Sequence, residues 1–198
     1  MGPKMYKIIG FLSRPHGFSV LNELIDNPNY DVIKIFTHKL KPKTEDPERG
    51  IRDDYHLFSK LCNKHNIELT SIDSKNDTID ILDCDVIVEV SWRFLISSDI
   101  VKKAKILAFG IHRGKLPDYP GREPIKQAIS NGDKEIILSA HLLAPEIDGG
   151  NVIDEISYEV NYDKHRDLEE NIQNIRDGIT PLFPILMNKV VNRCFKKN

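Results

Sequence analysis

The chain is poor in cysteine. Cys62, Cys84 and Cys194 are the only three in 198 residues, and their spacing fits neither a zinc-ligand pattern nor a CxxC redox pair. So odd and sparse a set belongs with a reducing compartment rather than a disulfide scaffold. Long apolar runs are missing too. No stretch approaches the ~20 apolar residues of a membrane span. The opening MGPKMYKIIGFLS is interrupted too soon for a secretory signal. Charge of one sign is not in excess: 28 basic and 30 acidic side chains leave a formal charge of −2. That excludes the global basic field that nucleic-acid binding uses. Repeats and low-complexity tracts are absent. These absences lead us to expect a cytoplasmic protein with neither membrane nor nucleic acid as partner. With 40% hydrophobic residues, residues 1–198 suffice for a single α/β domain.

What is present alternates. Tyr6 to Ser13, Asp31 to His38, Ile67 to Ile72, Asp85 to Val90 and Ile106 to Ile111 read as strands. Phe18 to Asp26 and Asp53 to His65 carry helical spacing between them. Lys39 to Arg52, polar and holding Pro42, Pro47 and Gly50, reads as a loop. After the last of these strands, Arg122 to Ser130 reads as a helix, then Glu135 to Leu143 and Val152 to Val160 as strands. Lys164 to Val191 reads as a terminal helix broken or kinked near Pro181 and Pro184. The pattern predicts a Rossmann-like, doubly wound, mostly parallel sheet with an antiparallel C-terminal portion.

Ligands of such sheets bind outside the carboxyl ends of the strands. Two of those ends are chemically loaded: SWRFLI follows Asp85 to Val90, and HRGKLP follows Ile106 to Ile111. The loop PEIDGG (Pro145 to Gly150) adds a carboxylate beside two glycines. Each feature alone has a bland reading. A histidine after a strand is more often structural than catalytic, Asp before Gly-Gly is usually a turn residue, and Trp92 and Phe94 are more often core than ligand platform. Together, with LPDYPG between them, they form a pattern.

That pattern resembles the folate-dependent formyltransferases, both the glycinamide ribonucleotide transformylases and the sugar N-formyltransferases. The family order is N-x-H-P-S-L-L-P, Y-x-G, an N-G-D-like turn and H-x(6)-D-x-G. Here it reads GIHRGKLP (Gly110 to Pro117), YPG (Tyr119 to Gly121), NGD (Asn131 to Asp133) and HLLAPEIDGG (His141 to Gly150). Asp167 to Ile172 and Leu182 to Pro184 are similar to its closing helices. The resemblance implies a formyltransferase fold, with 10-formyltetrahydrofolate as formyl donor to a small-molecule amine. It implies that His112 serves the oxyanion or donates a proton, with Asp148 keeping that histidine charged. Phe94, Leu95, Ile96, Pro145, Glu146 and Ile147 would hold the pterin. The family is often dimeric, so a homodimer is within the expectation.

Three positions depart from the pattern. The family asparagine is Gly110. Three readings are open: another group takes its place (Arg113 or His141), the enzyme transfers a different group, or the chain binds without catalysing. Arg113-Gly114-Lys115 replace P-S-L and put two cations beside His112, suited to an anionic acceptor or simply a solvated loop. The glycine-rich phosphate turn of the ribonucleotide enzymes is SRPHGF here, and Pro15 lacks an amide donor. This argues against glycinamide ribonucleotide itself and makes Arg14 a candidate contact to a nucleotide-linked amino sugar, beside a plain turn. A divalent-metal hydrolase using His112, His141 and Asp148 lacks a compact ligand motif, so no metal is expected. A chain stopping at Asn198 argues against a methionyl-tRNA formyltransferase, which carries a further RNA-binding domain.

Overall fold

β1 (Tyr6–Leu12) ends at Leu12, and through Ser13, the N-cap, the chain turns directly into α1 (Arg14–Asp26). The computed structural model describes residues 5–146 and 148–195. Helix α1 starts four residues earlier than the apolar spacing predicts. Pro15 sits in its first turn, where its fixed φ suits a helix and its missing N–H costs nothing. Gly17, Val20, Leu21 and Leu24 then form the buried stripe. β2 (Tyr30–Thr37), α2 (Tyr55–Lys64), β3 (Glu68–Ser71), β4 (Cys84–Val90), α3 (Ser98–Val101) and β5 (Ala104–His112) follow. The short α3 has no periodic signal in the sequence. α4 (Pro124–Ser130), β6 (Glu135–Leu142), β7 (Val152–Glu159), α5 (Leu168–Ile179) and α6 (Leu182–Phe195) complete the chain.

The strands form one sheet in the order β3-β2-β1-β4-β5-β6-β7. β1 pairs in parallel with β2 and β4, and β2 with β3, whereas β6 pairs antiparallel with β5 and β7. This is the doubly wound sheet with an antiparallel end that the alternation predicts. Two compact units share it: Met1–Phe94 with Asp99–Ala108, and Leu95–Ser98 with Phe109–Asn198. In the first unit Ile8, Ile9, Phe11 and Leu12 of β1 meet Ile87, Val88 and Val90 of β4, all fully buried. Parallel strands covered on both faces read as such continuous apolar runs.

In the second unit β6 buries Ile136 and then four residues in a row, Leu138 to His141. The terminal helical stretch is two helices, parted at Thr180–Pro181. Both bury an apolar stripe, Ile172, Ile175 and Ile179 on α5 and Phe183, Leu186, Met187, Val190 and Val191 on α6. α5 opens with a capping box: Asp167 Oδ1 accepts from the Glu170 N–H at 2.8 Å, and the Asp167 N–H donates to Glu170 Oε2 at 3.1 Å.

Candidate active site

Strand register builds the site. Side chains two apart on a strand share a face, as do residues directly opposite in an antiparallel pair. Gly110 and His112 therefore lie on one face of β5. Opposite them on β6 stand His141 and Ser139, and opposite Ser139 on β7 stands Glu155. The Ser139 hydroxyl donates to Glu155 Oε1 at 3.0 Å and accepts the Leu116 N–H at 3.1 Å, which ties the segment after β5 to this face.

The β6–β7 loop brings the carboxylate in. It closes tightly: the Leu142 N–H donates to the Asn151 carbonyl at 3.0 Å, and a Cβ on Gly150 would lie 1.7 Å from the Leu142 oxygen. Only glycine fits there. Asp148 takes φ 52°, a left-handed conformation in which Asn and Asp are over-represented among side-chain-bearing residues. Its Oδ2 accepts the Gly121 N–H at 2.9 Å. The same Oδ2 is 3.4 Å from His112 Nδ1, and Oδ1 is 3.5 Å from His141 Nε2. The side chains of His112, His141 and Asp148 are 9%, 4% and 13% exposed, so the three interact in a largely dry setting.

The other ring nitrogens fix the tautomers. His112 Nε2 is 2.7 Å from the Tyr119 carbonyl oxygen, and His141 Nδ1 is 3.1 Å from the Leu142 carbonyl oxygen. A carbonyl only accepts, so each of these nitrogens carries its proton. The neutral rings then turn lone pairs, His112 Nδ1 and His141 Nε2, toward one carboxylate. Among the described residues nothing hydrogen-bonds His141 Nε2, although it is buried. Burial holds His112 below the ordinary imidazole range. Asp148 and the Tyr119 carbonyl oppose that fall, while His141 and Arg113 add to it. Burial lowers His141 as well, against the Leu142 carbonyl and Asp148. The arrangement has room for one more proton between a histidine and Asp148, and it is suited to taking that proton from a reacting amine.

The structure brings His112, Asp148 and His141 together and sets Gly110, buried, opposite His141. Arg113 is half-buried beside His112, and Lys115 is exposed and paired with Asp118 at 3.0 Å. Leu95 is 47% exposed and Ile96 is 6% exposed; Pro145 and Glu146 are exposed. Ile147 lies outside the described residues. Phe94 and Arg14 belong to the first unit. There the Phe94 ring meets His38 edge-on at 5.3 Å, and the Arg14 guanidinium pairs with Glu45. Among the described residues no group of three or more His, Cys, Asp or Glu is arranged to hold a metal.

One cluster was not legible in the sequence. Arg52, 2% exposed, grips Asp54 with Nε at 2.9 Å and Nη2 at 2.6 Å, and its Nη1 donates to Ser13 Oγ and to the His38 carbonyl at 2.7 Å. His38 stacks on Trp92 at 4.0 Å, hydrogen-bonds the Ile72 carbonyl through Nδ1 and accepts the Arg93 N–H at Nε2, 3.1 Å away. Burial, with Arg93 next, pushes its pKa down to about 3. The ends of β1, β2, β3 and β4 are thus laced together by His38, from the end of a predicted strand, and Arg52, from a stretch that reads as loop. Histidine and arginine at successive strand ends, followed by R-x-D, were the available signal.

The chain is similar to known proteins in sequence and in fold. The methionyl-tRNA formyltransferase of Pediococcus pentosaceus is 29% identical over 158 residues, 74% of this chain and 47% of its own length. That of Orientia tsutsugamushi is 33% identical over 153 residues, again 74% of this chain and 48% of the relative. The chain spans about half the length of these curated relatives. A phosphoribosylglycinamide formyltransferase from Brucella melitensis shares the fold, with TM-score 0.67 and 16% identity over 94% of this chain and 95% of that one. The family model described as formyl transferase matches residues 9–180, so this chain belongs to the formyl transferase family.

Proposed function

We propose that the protein transfers a formyl group from 10-formyltetrahydrofolate to the amine of a small anionic acceptor, such as a nucleotide-linked amino sugar. The observation that carries this reading is the buried His112–Asp148 pair, 3.4 Å apart, with His112 held from its far side by a carbonyl. Amine attack on a formyl carbon needs orientation, a donor for the developing oxyanion and an acceptor for the amine proton. His112 Nδ1 and Asp148 supply the acceptor. The folate supplies the activated formyl group. Leu95, an exposed apolar side chain suited to a flat ring, lies in the first of the two stretches assigned to the pterin by resemblance, and Leu142 is exposed at the end of β6, before the second. Arg113 and Lys115 beside His112, and Arg14 in the first unit, are the candidate contacts to acceptor anions.

Gly110 leaves one oxyanion donor unfilled, and Arg113, next to His112, stands in for it in this reading. A second acceptor class is favoured by the identity to methionyl-tRNA formyltransferases: a methionyl amine carried on tRNA. The test is transfer of formyl from 10-formyltetrahydrofolate to a panel of nucleotide-linked amino sugars, glycinamide ribonucleotide and methionyl-tRNA. Formylation of a sugar amine supports the first acceptor, and formylation of methionyl-tRNA moves the assignment to the second. No transfer by the native chain, with activity gained by Gly110→Asn, would show that the chain binds without catalysing.

A further inference from the structure

His112 is held by a segment as well as by a carboxylate. The Tyr119 carbonyl oxygen accepts from its Nε2 at 2.7 Å. That carbonyl is itself fixed at several points. The Tyr119 N–H donates to the Lys115 carbonyl at 2.8 Å. The Tyr119 hydroxyl donates to Asp133 Oδ2 at 2.6 Å and accepts from Asn131 Nδ2 at 3.1 Å. Two residues on, the Gly121 N–H holds Asp148. One short segment therefore grips both members of the pair.

The fit depends on Gly114. A Cβ there would stand 2.5 Å from the Pro124 Cβ, 2.9 Å from the Tyr119 oxygen and 3.0 Å from His112 Nε2. Two of those atoms are the partners of the His112 bond, and the third is a rigid proline ring. With any larger residue at 114, the carbonyl and the imidazole would have to separate. The formyltransferase pattern has serine at this position, where this chain has the glycine that the contact needs.

We infer that Gly114 and Tyr119 are positioning residues: they commit His112 Nε2 to a backbone carbonyl, so that Nδ1, facing Asp148, is the nitrogen that accepts and returns the proton of the reaction. This rests on the formyl-transfer reading for its consequence, although the tautomer itself is observable without activity. No atom is gained or lost by the device. A proton leaving the amine goes to Nδ1, the imidazolium is then bound by a carbonyl on one side and a carboxylate on the other, and the same proton leaves with the departing amine nitrogen. The charged and titratable groups that bear on His112 are Asp148 from the β6–β7 loop, His141 from β6 and Arg113 from the end of β5.

The experiment is nitrogen NMR of histidine-labelled protein, titrated between pH 5 and pH 8, with the pH profile of kcat recorded beside it. For the native chain the expected signal is neutral His112 as the Nε2–H tautomer. Gly114→Ala should shift it toward Nδ1–H and move its titration, and the acid limb of kcat, to lower pH, because an acceptor for the imidazolium is lost. Tyr119→Phe removes only the hydroxyl anchor and should give a smaller shift the same way in a protein that folds. A native His112 that is the Nδ1–H tautomer overturns the inference. So does a folded Gly114→Ala or Tyr119→Phe with unchanged tautomer and unchanged profile. If the tautomer is as stated and no acceptor is formylated, the formyl-transfer reading fails and the positioning geometry stands.

Discussion

Replacing Asp148 by asparagine isolates charge from shape. Asparagine tolerates the φ of 52° at this position and its Oδ1 can still accept the Gly121 N–H, so the loop should keep its form. What disappears is the negative charge 3.4 Å from His112 Nδ1. At an effective dielectric of about 20 that charge is worth about 5 kcal/mol gross to an imidazolium. Burial already pulls His112 toward the neutral form, with Asp148 the larger of the two forces opposing it. Without Asp148 the imidazole should titrate lower still, because the larger opposing force is gone. Proton acceptance from the amine should then fail, and the expected loss in kcat is about 10² to 10⁴, the usual range for removing acid–base help. KM for folate should stay within about threefold, because the perturbed interaction matters to the transition state. Steady-state formyl transfer from pH 6 to pH 9 measures this, with circular dichroism as the control for folding. A folded Asp148→Asn protein keeping more than a tenth of the native kcat would refute the reasoning.

Other outcomes follow from the same contacts. His38 has a pKa of about 3 in the fold against an ordinary 6.5. The unfolded chain therefore takes up a proton that the folded chain refuses, and stability falls as pH drops below about 6.5. Denaturant unfolding at pH 6.5 and pH 5 should differ by about 2 kcal/mol from this group alone, and His38→Gln should shrink the difference. Asp54→Asn removes the carboxylate paired with Arg52, whose side chain is 1% exposed; denaturant melts should show a loss of about 3–5 kcal/mol. Gly150→Ala places a Cβ 1.7 Å from the Leu142 oxygen and should cost at least about 2 kcal/mol of stability while displacing Asp148 from His112, visible as a fall in both Tm and kcat.

The sheet was legible because its physics is local. Parallel strands buried on both faces write themselves as apolar runs, and β1, β2, β4 and β5 appear where those runs lie. The helix starts were less so. Nothing in SRPHGF announces that Pro15 opens α1, since a first-turn proline and a loop proline look alike. The pair His112 and Asp148 was legible as a motif, and register explains why the motif works: β5 and β6 put His112 and His141 on one face, and Gly150 lets the loop return Asp148 to them. The Tyr119 carbonyl was not legible. A backbone oxygen leaves no mark in a sequence, and Gly114 reads as a loop glycine until the atoms around it are placed. The Arg52 cluster stayed hidden because arginine, histidine and aspartate read as solvated when nothing shows that they satisfy one another in the interior.

The most direct measurement is a single-turnover transfer with isotope-labelled formyl on 10-formyltetrahydrofolate, run on the native chain and on His112→Ala with the acceptor that the panel identifies. The account predicts that label moves to the acceptor amine on the native protein, and that His112→Ala, though folded, moves it at least about a hundredfold more slowly. Label that never reaches an amine, or that reaches it equally fast without His112, would contradict the account.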